Sequence, residues 1–287
     1  NLRKALDWLP TARQLLHIRT DCDLSGHVED LPALDAMAAR PQQMPELAAF
    51  YEQYGFRSLA RALAEQAVAD DPDAAQVEST EVEVEYETVL DWPAFERWLA
   101  AIQAAELTAL DTETTSLDSM QARLIGLSLS VEPRRAAYVP LGHTGPDADG
   151  QLPMDEVLER LRPWLEDPAQ HKLGQHVKYD QHVFASHGIE VAGYVHDTLL
   201  QSYVLEAHRP HGLSSLAERH LGRGGLTYEE VCGKGAHQIP FAQVALDVAT
   251  QYACEDADQA LEVHQVLWPS IEEDEGLRHI YELEMTC

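Results

Sequence analysis

The chain has 287 residues, 45% of them hydrophobic, enough to bury a substantial core as one large domain or as a domain with flanking pieces. Its 49 acids against 20 bases give a formal net charge of −29, which argues against a broad basic groove and leaves bound cations, local donors or a partner domain to meet any phosphate. No apolar run approaches the ~18 residues of a membrane span, the first residues lack the order of a signal peptide, and four cysteines without Cys-x-x-Cys spacing fit neither a disulfide framework nor a zinc site. The cytoplasm is the expected compartment.

Residues 1–66 read as helical and irregular segments broken by Pro10, Pro32, Pro41 and Pro45, with an apolar piece at Leu15-Leu16-His17-Ile18. Leu47, Phe50, Tyr51 and Tyr54 fall at helical spacing and Gly55 reads as a stop. His17 and His27 have no partner at a helical spacing and read as surface or packing residues. Residues 67–80 turn to Ala, Asp, Gln and Pro and read as a linker.

Residues 81–87 alternate strictly, an edge-like strand with Val82, Val84 and Tyr86 inward and its glutamates on a solvated face. Asp91 caps a helix with Pro93 in its first turn and Phe95, Trp98, Leu99 and Ile102 along one side. Leu107 to Thr115 is an apolar run that ends in two acids. As a strand it projects Asp111 and Glu113 to the same side, and such a pair repels itself unless a hard cation, magnesium or manganese, sits between the oxygens. Strands at 123–131 and 136–141 follow, close enough in sequence for antiparallel hairpins.

Met154–Glu166 has helical spacing in Val157, Leu158, Leu161 and Leu165, and Lys172–Gly174 reads as a strand before a helix that carries Tyr179 and Asp180. An acid in a first helical turn is favoured by the dipole. From Asp197 onward the pattern is almost wholly helical, with breaks at Gly212, 222–225 and 233–240. A last long helix, expected from about Phe241 to Leu267, sets Tyr252 and Asp256 one turn apart on one face, with Glu255 and Asp258 pointing elsewhere. His171, His182 and His187 lack zinc-site spacing and read as surface residues.

Asp111-Thr-Glu113, Gly174-Gln-His-Val-Lys-Tyr-Asp180 and Tyr252-Ala-Cys-Glu-Asp256 together resemble the proofreading exonuclease of the bacterial DNA polymerase I family, in the DEDDy class of 3′-5′ exonucleases. Ser214–Arg219, Tyr228–Gly235 and Gln238–Phe241 are similar as well. The resemblance implies an α/β fold, an RNase H-like mixed sheet flanked by helices and preceded by a small, mainly helical segment. It divides the chain into 1–66, similar to the tail of a 5′ nuclease domain, the linker 67–80, the exonuclease 81–270, and 271–287, similar to the entry into a polymerase domain.

The same resemblance implies two Mg²⁺ ions, with Mn²⁺ able to substitute, held by Asp111, Glu113, Asp180 and Asp256, while Tyr252 and Glu113 orient the attacking water. Leu117, Gln175, His176 and Phe241 match positions that contact the terminal nucleotides, and core packing is the other reading for Phe241. Where the family commonly has asparagine this chain has His176. Implied partners are single-stranded or frayed DNA 3′ ends and the polymerase and 5′ nuclease domains of a longer chain, without polymerase activity here. An RNase D-like RNA exonuclease and an inactive exonuclease-fold spacer are the alternatives.

Overall fold

The computed structural model describes residues 8–18, 21, 47, 50, 51, 54, 56, 59, 63, 84–145 and 148–286. The linker expected at 67–80, together with His27, Gly55, Val82 and the glutamates at 81 and 83, lies outside the described residues. The chain divides into two units, Asn1–Thr80 and Glu81–Cys287. In the first, helix α1 (Leu9–Leu15) has no buried residue, and the apolar piece that follows is exposed. The rings of Phe50, Tyr51, Tyr54 and Phe56 gather against one another.

The second unit is a six-stranded mixed sheet with helices on both faces. Its strands are β1 (Glu85–Thr88), β2 (Thr108–Thr114), β3 (Leu124–Glu132), β4 (Arg135–Pro140), β5 (Lys172–Gly174) and β6 (Tyr194–Asp197), in the order β1-β4-β3-β2-β5-β6. β2, β3 and β4 form the expected antiparallel hairpins, while β1 joins β4, β5 joins β2 and β6 joins β5 in parallel. Strand β6 is not among the strands expected from the sequence, and its last residue, Asp197, is where the helical pattern was expected to begin.

Helix α2 (Trp92–Ala104) starts where Asp91 accepts the Ala94 amide, and it buries Phe95, Trp98 and Ile102 on one face of the sheet. Helices α3 (Met154–Leu165) and α4 (Val177–Ser186) complete that layer with Leu158, Leu161, Trp164, Val183 and Phe184. Glu87 is part-exposed but not free: it accepts the Trp98 indole N–H at 2.8 Å and pairs with Arg97 at 2.5 Å.

Helices α5 (Thr198–Glu206), α6 (Leu213–His220) and α7 (Tyr228–Cys232) lead into α8 (Leu246–Glu272), which crosses the other face, and α9 (Glu275–Thr286) follows. Ala249, Ala253 and Ala257 recur every four residues on the buried side of α8, and small side chains let its backbone lie close to the sheet. The helix begins five residues later than its spacing suggests. Thr144 donates its amide to the Ala242 carbonyl at 2.6 Å, and Val244 and Ala245 stay extended, so Phe241–Gln243 forms a separate 3₁₀ turn.

Candidate active site

Strand alternation sets the first two acids. Ala109 packs toward α8 while Leu110 packs toward α2 and α3, so Asp111 and Glu113 share the α8 face and Thr112 the other. One carboxylate oxygen from each of Asp111, Glu113 and Asp256 lies within 4.8 Å of the other two. The alanine face of α8 brings Asp256 this close to β2, and Tyr252 sits one turn earlier on the same helix, its hydroxyl toward Asp256. Asp180 comes from α4, on the opposite layer, and is 2% exposed; Thr112 Oγ1 donates to it at 2.5 Å.

Burial without a counter-charge dominates the electrostatics. It pushes the Asp111 carboxyl up to about 7. Glu113 is raised well above the usual carboxylate range by burial first, then by Asp111, Asp256 and Asp180, and burial and Asp111 likewise raise Asp180 and Asp256. The Tyr252 phenol is also pushed up, by burial and then by Asp256, which keeps its hydroxyl protonated at neutral pH.

The donor set consists wholly of carboxylate oxygens, which suits a hard divalent cation. Glu113 Oε1 is buried without a hydrogen-bond partner. A buried acceptor left unpaired is costly, and a cation placed among these oxygens would satisfy it.

The remaining predicted contacts divide. Leu117 is 99% exposed on the loop after β2, and Tyr179 of α4 donates its hydroxyl to the Ser116 carbonyl beside it. His176 is exposed and has a left-handed backbone (φ 67°, ψ 49°), a conformation in which asparagine, aspartate and histidine are enriched. Gln175 is engaged internally: its amide nitrogen donates to the His211 carbonyl at 2.9 Å and its oxygen accepts from Thr198 at 2.5 Å. Phe241 is 2% exposed and packs between His143 and Tyr252, so it is a wall of the core here and not a free stacking surface.

Three neighbours of the site were not singled out from sequence: Thr112, Tyr138 and Asp197. Tyr138, fully buried, meets His143 Nε2 at 2.8 Å, and its phenol is raised by burial and then by Glu113. Asp197 ends β6, where its carboxylate caps two helices.

Residues 86–272 match the family model described as 3′-5′ exonuclease. This chain belongs to that 3′-5′ exonuclease family. It is 39% identical to DNA polymerase I of Pseudomonas aeruginosa over 95% of this chain and 30% of that one, so the likeness continues beyond the span of the family model. It is 32% identical to DNA polymerase I of Rhizobium leguminosarum over 96% of this chain and 35% of that one. The chain thus spans about a third of the length of these curated relatives. Among solved structures, Escherichia coli RNase D, described as an exoribonuclease involved in structured RNA processing, superposes with a TM-score of 0.51 at 20% identity over 71% of this chain and 50% of that one, a likeness of fold. The exonuclease fold and family expected from the three motifs are therefore established. Among the described residues, no helix is long and apolar enough to cross a membrane.

Proposed function

We propose that the chain is the proofreading portion of a DNA polymerase I, a cytoplasmic, nucleoid-associated enzyme that hydrolyses the 3′-terminal phosphodiester of single-stranded or frayed DNA and releases 5′-mononucleotides. The observation that carries this reading is the convergence of Asp111, Glu113 and Asp256 within 4.8 Å. Asp111, Glu113, Asp180 and Asp256 would hold two Mg²⁺ ions, or Mn²⁺ in their place. Bound there, the cations would supply positive charge to the scissile phosphate and activate the water that attacks it.

The protein contributes placement. The sheet and α8 hold Asp111, Glu113 and Asp256 at fixed separation, and Thr112 aims Asp180. Tyr252 keeps its proton and can donate toward the attacking water or a phosphate oxygen, while Glu113 Oε1 is free of other protein partners and can accept from that water. Leu117, fully exposed, offers an apolar surface to a terminal base, and His176 can donate to a phosphate or sugar oxygen. The 5′ nuclease and polymerase domains of a longer chain would be the partners, with residues 1–66 the end of the 5′ nuclease domain, 67–80 a linker and 271–287 the start of the polymerase domain.

Metal chemistry at the phosphate does not distinguish sugars, and the RNase D likeness is one of fold alone. The DNA reading is supported by curated relatives at 39% and 32% identity that are both DNA polymerase I. Matched DNA and RNA oligonucleotides offered in competition test it: DNA should be consumed first and released as 5′-mononucleotides. Preferential loss of the RNA would overturn it in favour of an RNA exonuclease.

A further inference from the structure

The helix that carries Asp180 has no cap of its own. At its start, His176 sits in the left-handed region and offers no side-chain hydrogen bond to the helix. The amides of His176 and Val177 instead reach across to Asp197, at 3.0 Å to Oδ1 and 3.0 Å to Oδ2. Oδ1 also accepts Leu199 N at 2.8 Å and Leu200 N at 3.4 Å, the first amides of α5. One carboxylate therefore closes two helices that begin at the C-terminal ends of neighbouring parallel strands, where Gly174 pairs with Asp197.

We propose that Asp197 is the positioning residue of this site, clamping the first turn of α4 so that Asp180 meets the Asp111, Glu113 and Asp256 cluster. The inference rests on the reading above of what Asp180 does. Both oxygens are needed. An asparagine would set its NH₂ against either the Val177 N–H or the three amides on Oδ1, so one helix start would lose its acceptor.

Asp197 is 2% exposed, and the two helix N-termini are what compensate its charge. That charge works against an ionised Asp180, so the benefit to the site is geometric. Two further bonds stiffen the joint. Tyr281 of α9 accepts the Asp197 amide at 2.8 Å, and Thr198 Oγ1, the next residue, donates to Gln175 Oε1 at 2.5 Å beside the start of α4. The C-terminal helix α9 thus reaches the metal-ligand helix α4 through one backbone amide and one carboxylate.

The test is Asp197→Asn in the whole chain, with Mg²⁺ titrated calorimetrically in the absence of DNA and kcat and KM measured on a single-stranded oligonucleotide. Mg²⁺ affinity should fall by about 10-fold or more, the size typical when a group that orients a ligand is lost. kcat should fall with it, KM should hold, and the His176 and Val177 amides should exchange faster. Val157→Ala, a core substitution in α3, serves as the comparison for lost stability and should keep wild-type Mg²⁺ affinity. Tyr281→Phe is a milder variant should Asp197→Asn fail to fold, with an expected loss of about 3-fold in the same two quantities. Folded Asp197→Asn with wild-type Mg²⁺ affinity and kcat would overturn the inference, as would an unchanged Tyr281→Phe where that variant decides. Wild-type protein that binds no Mg²⁺ would overturn the exonuclease reading beneath it.

Discussion

The ring of Tyr138 occupies the space a side chain on Gly126 would need: a Cβ there would lie 2.2 Å from the phenolic oxygen and 2.4 Å from Cζ. Gly126 pairs with Glu113 across β2 and β3, so the glycine admits a buried aromatic ring beside one of the three converging acids. Tyr138 cannot easily give way, because its hydroxyl is bound to His143 and its ring is wholly buried.

Gly126→Ala should therefore destabilise by about 1–3 kcal/mol through overpacking and should also weaken Mg²⁺ binding by displacing Glu113. Urea denaturation and calorimetry read the two effects. Wild-type stability would show that Tyr138 moves freely.

The buried acids predict how metal and pH combine. A carboxyl raised to about 7, as Asp111 is, favours the metal-free fold below its unfolded value and loses that contribution as pH rises from about 4 through about 7. Protons and metal compete for the same oxygens. The rise in Tm on adding Mg²⁺ should accordingly be small near pH 5.5 and large near pH 8. A rise independent of pH would place the binding elsewhere.

His196 and His264 stack with ring centroids 4.1 Å apart, next to Trp268, and His196 Nδ1 has no partner. Burial, with each other's proximity for His196, lowers them to about 3 and about 4. Groups lowered in the fold contribute stability above the unfolded value near 6.5, and it is lost as pH falls toward the folded values. His196→Phe should flatten the loss of Tm between pH 6.5 and 4 relative to wild type. An unchanged slope would contradict the neutral, buried state of this ring.

Most of the sheet was legible because its signals are local. Alternation set Asp111 and Glu113 on one side, the Asp91 cap and the Phe95, Trp98, Ile102 stripe marked α2, and the i, i+4 spacing joined Tyr252 to Asp256. Asp197 was not legible, since Asp197-Thr198 looks like the start of one helix and nothing nearby shows that it also caps a helix 20 residues earlier. Glu87 read as solvated because its indole and guanidinium partners lie on α2. Phe241 fits both a wedge and a core position by type alone, and its packing against His143 and Tyr252, residues far from it or on another element, shows only in the fold.

Ligand and helper separate at the third motif. Asp256→Ala removes one of three converging carboxylates and should collapse both Mg²⁺ affinity and turnover. Tyr252→Phe keeps the ring against Phe241 but deletes the hydroxyl, so metal binding should survive while single-turnover cleavage slows by about 10- to 1,000-fold. Equal loss of metal in both variants would contradict the assignment.

The central claim is that the acids form a metal-dependent site for cleaving DNA from its 3′ end. Its most direct test follows a 5′-labelled single strand over time with the purified chain, first in Mg²⁺ and then in excess chelator. The strand should shorten one nucleotide at a time from the 3′ end in Mg²⁺ and stay intact in chelator. Immediate release of the labelled 5′ nucleotide, or a ladder that persists in chelator, would contradict it.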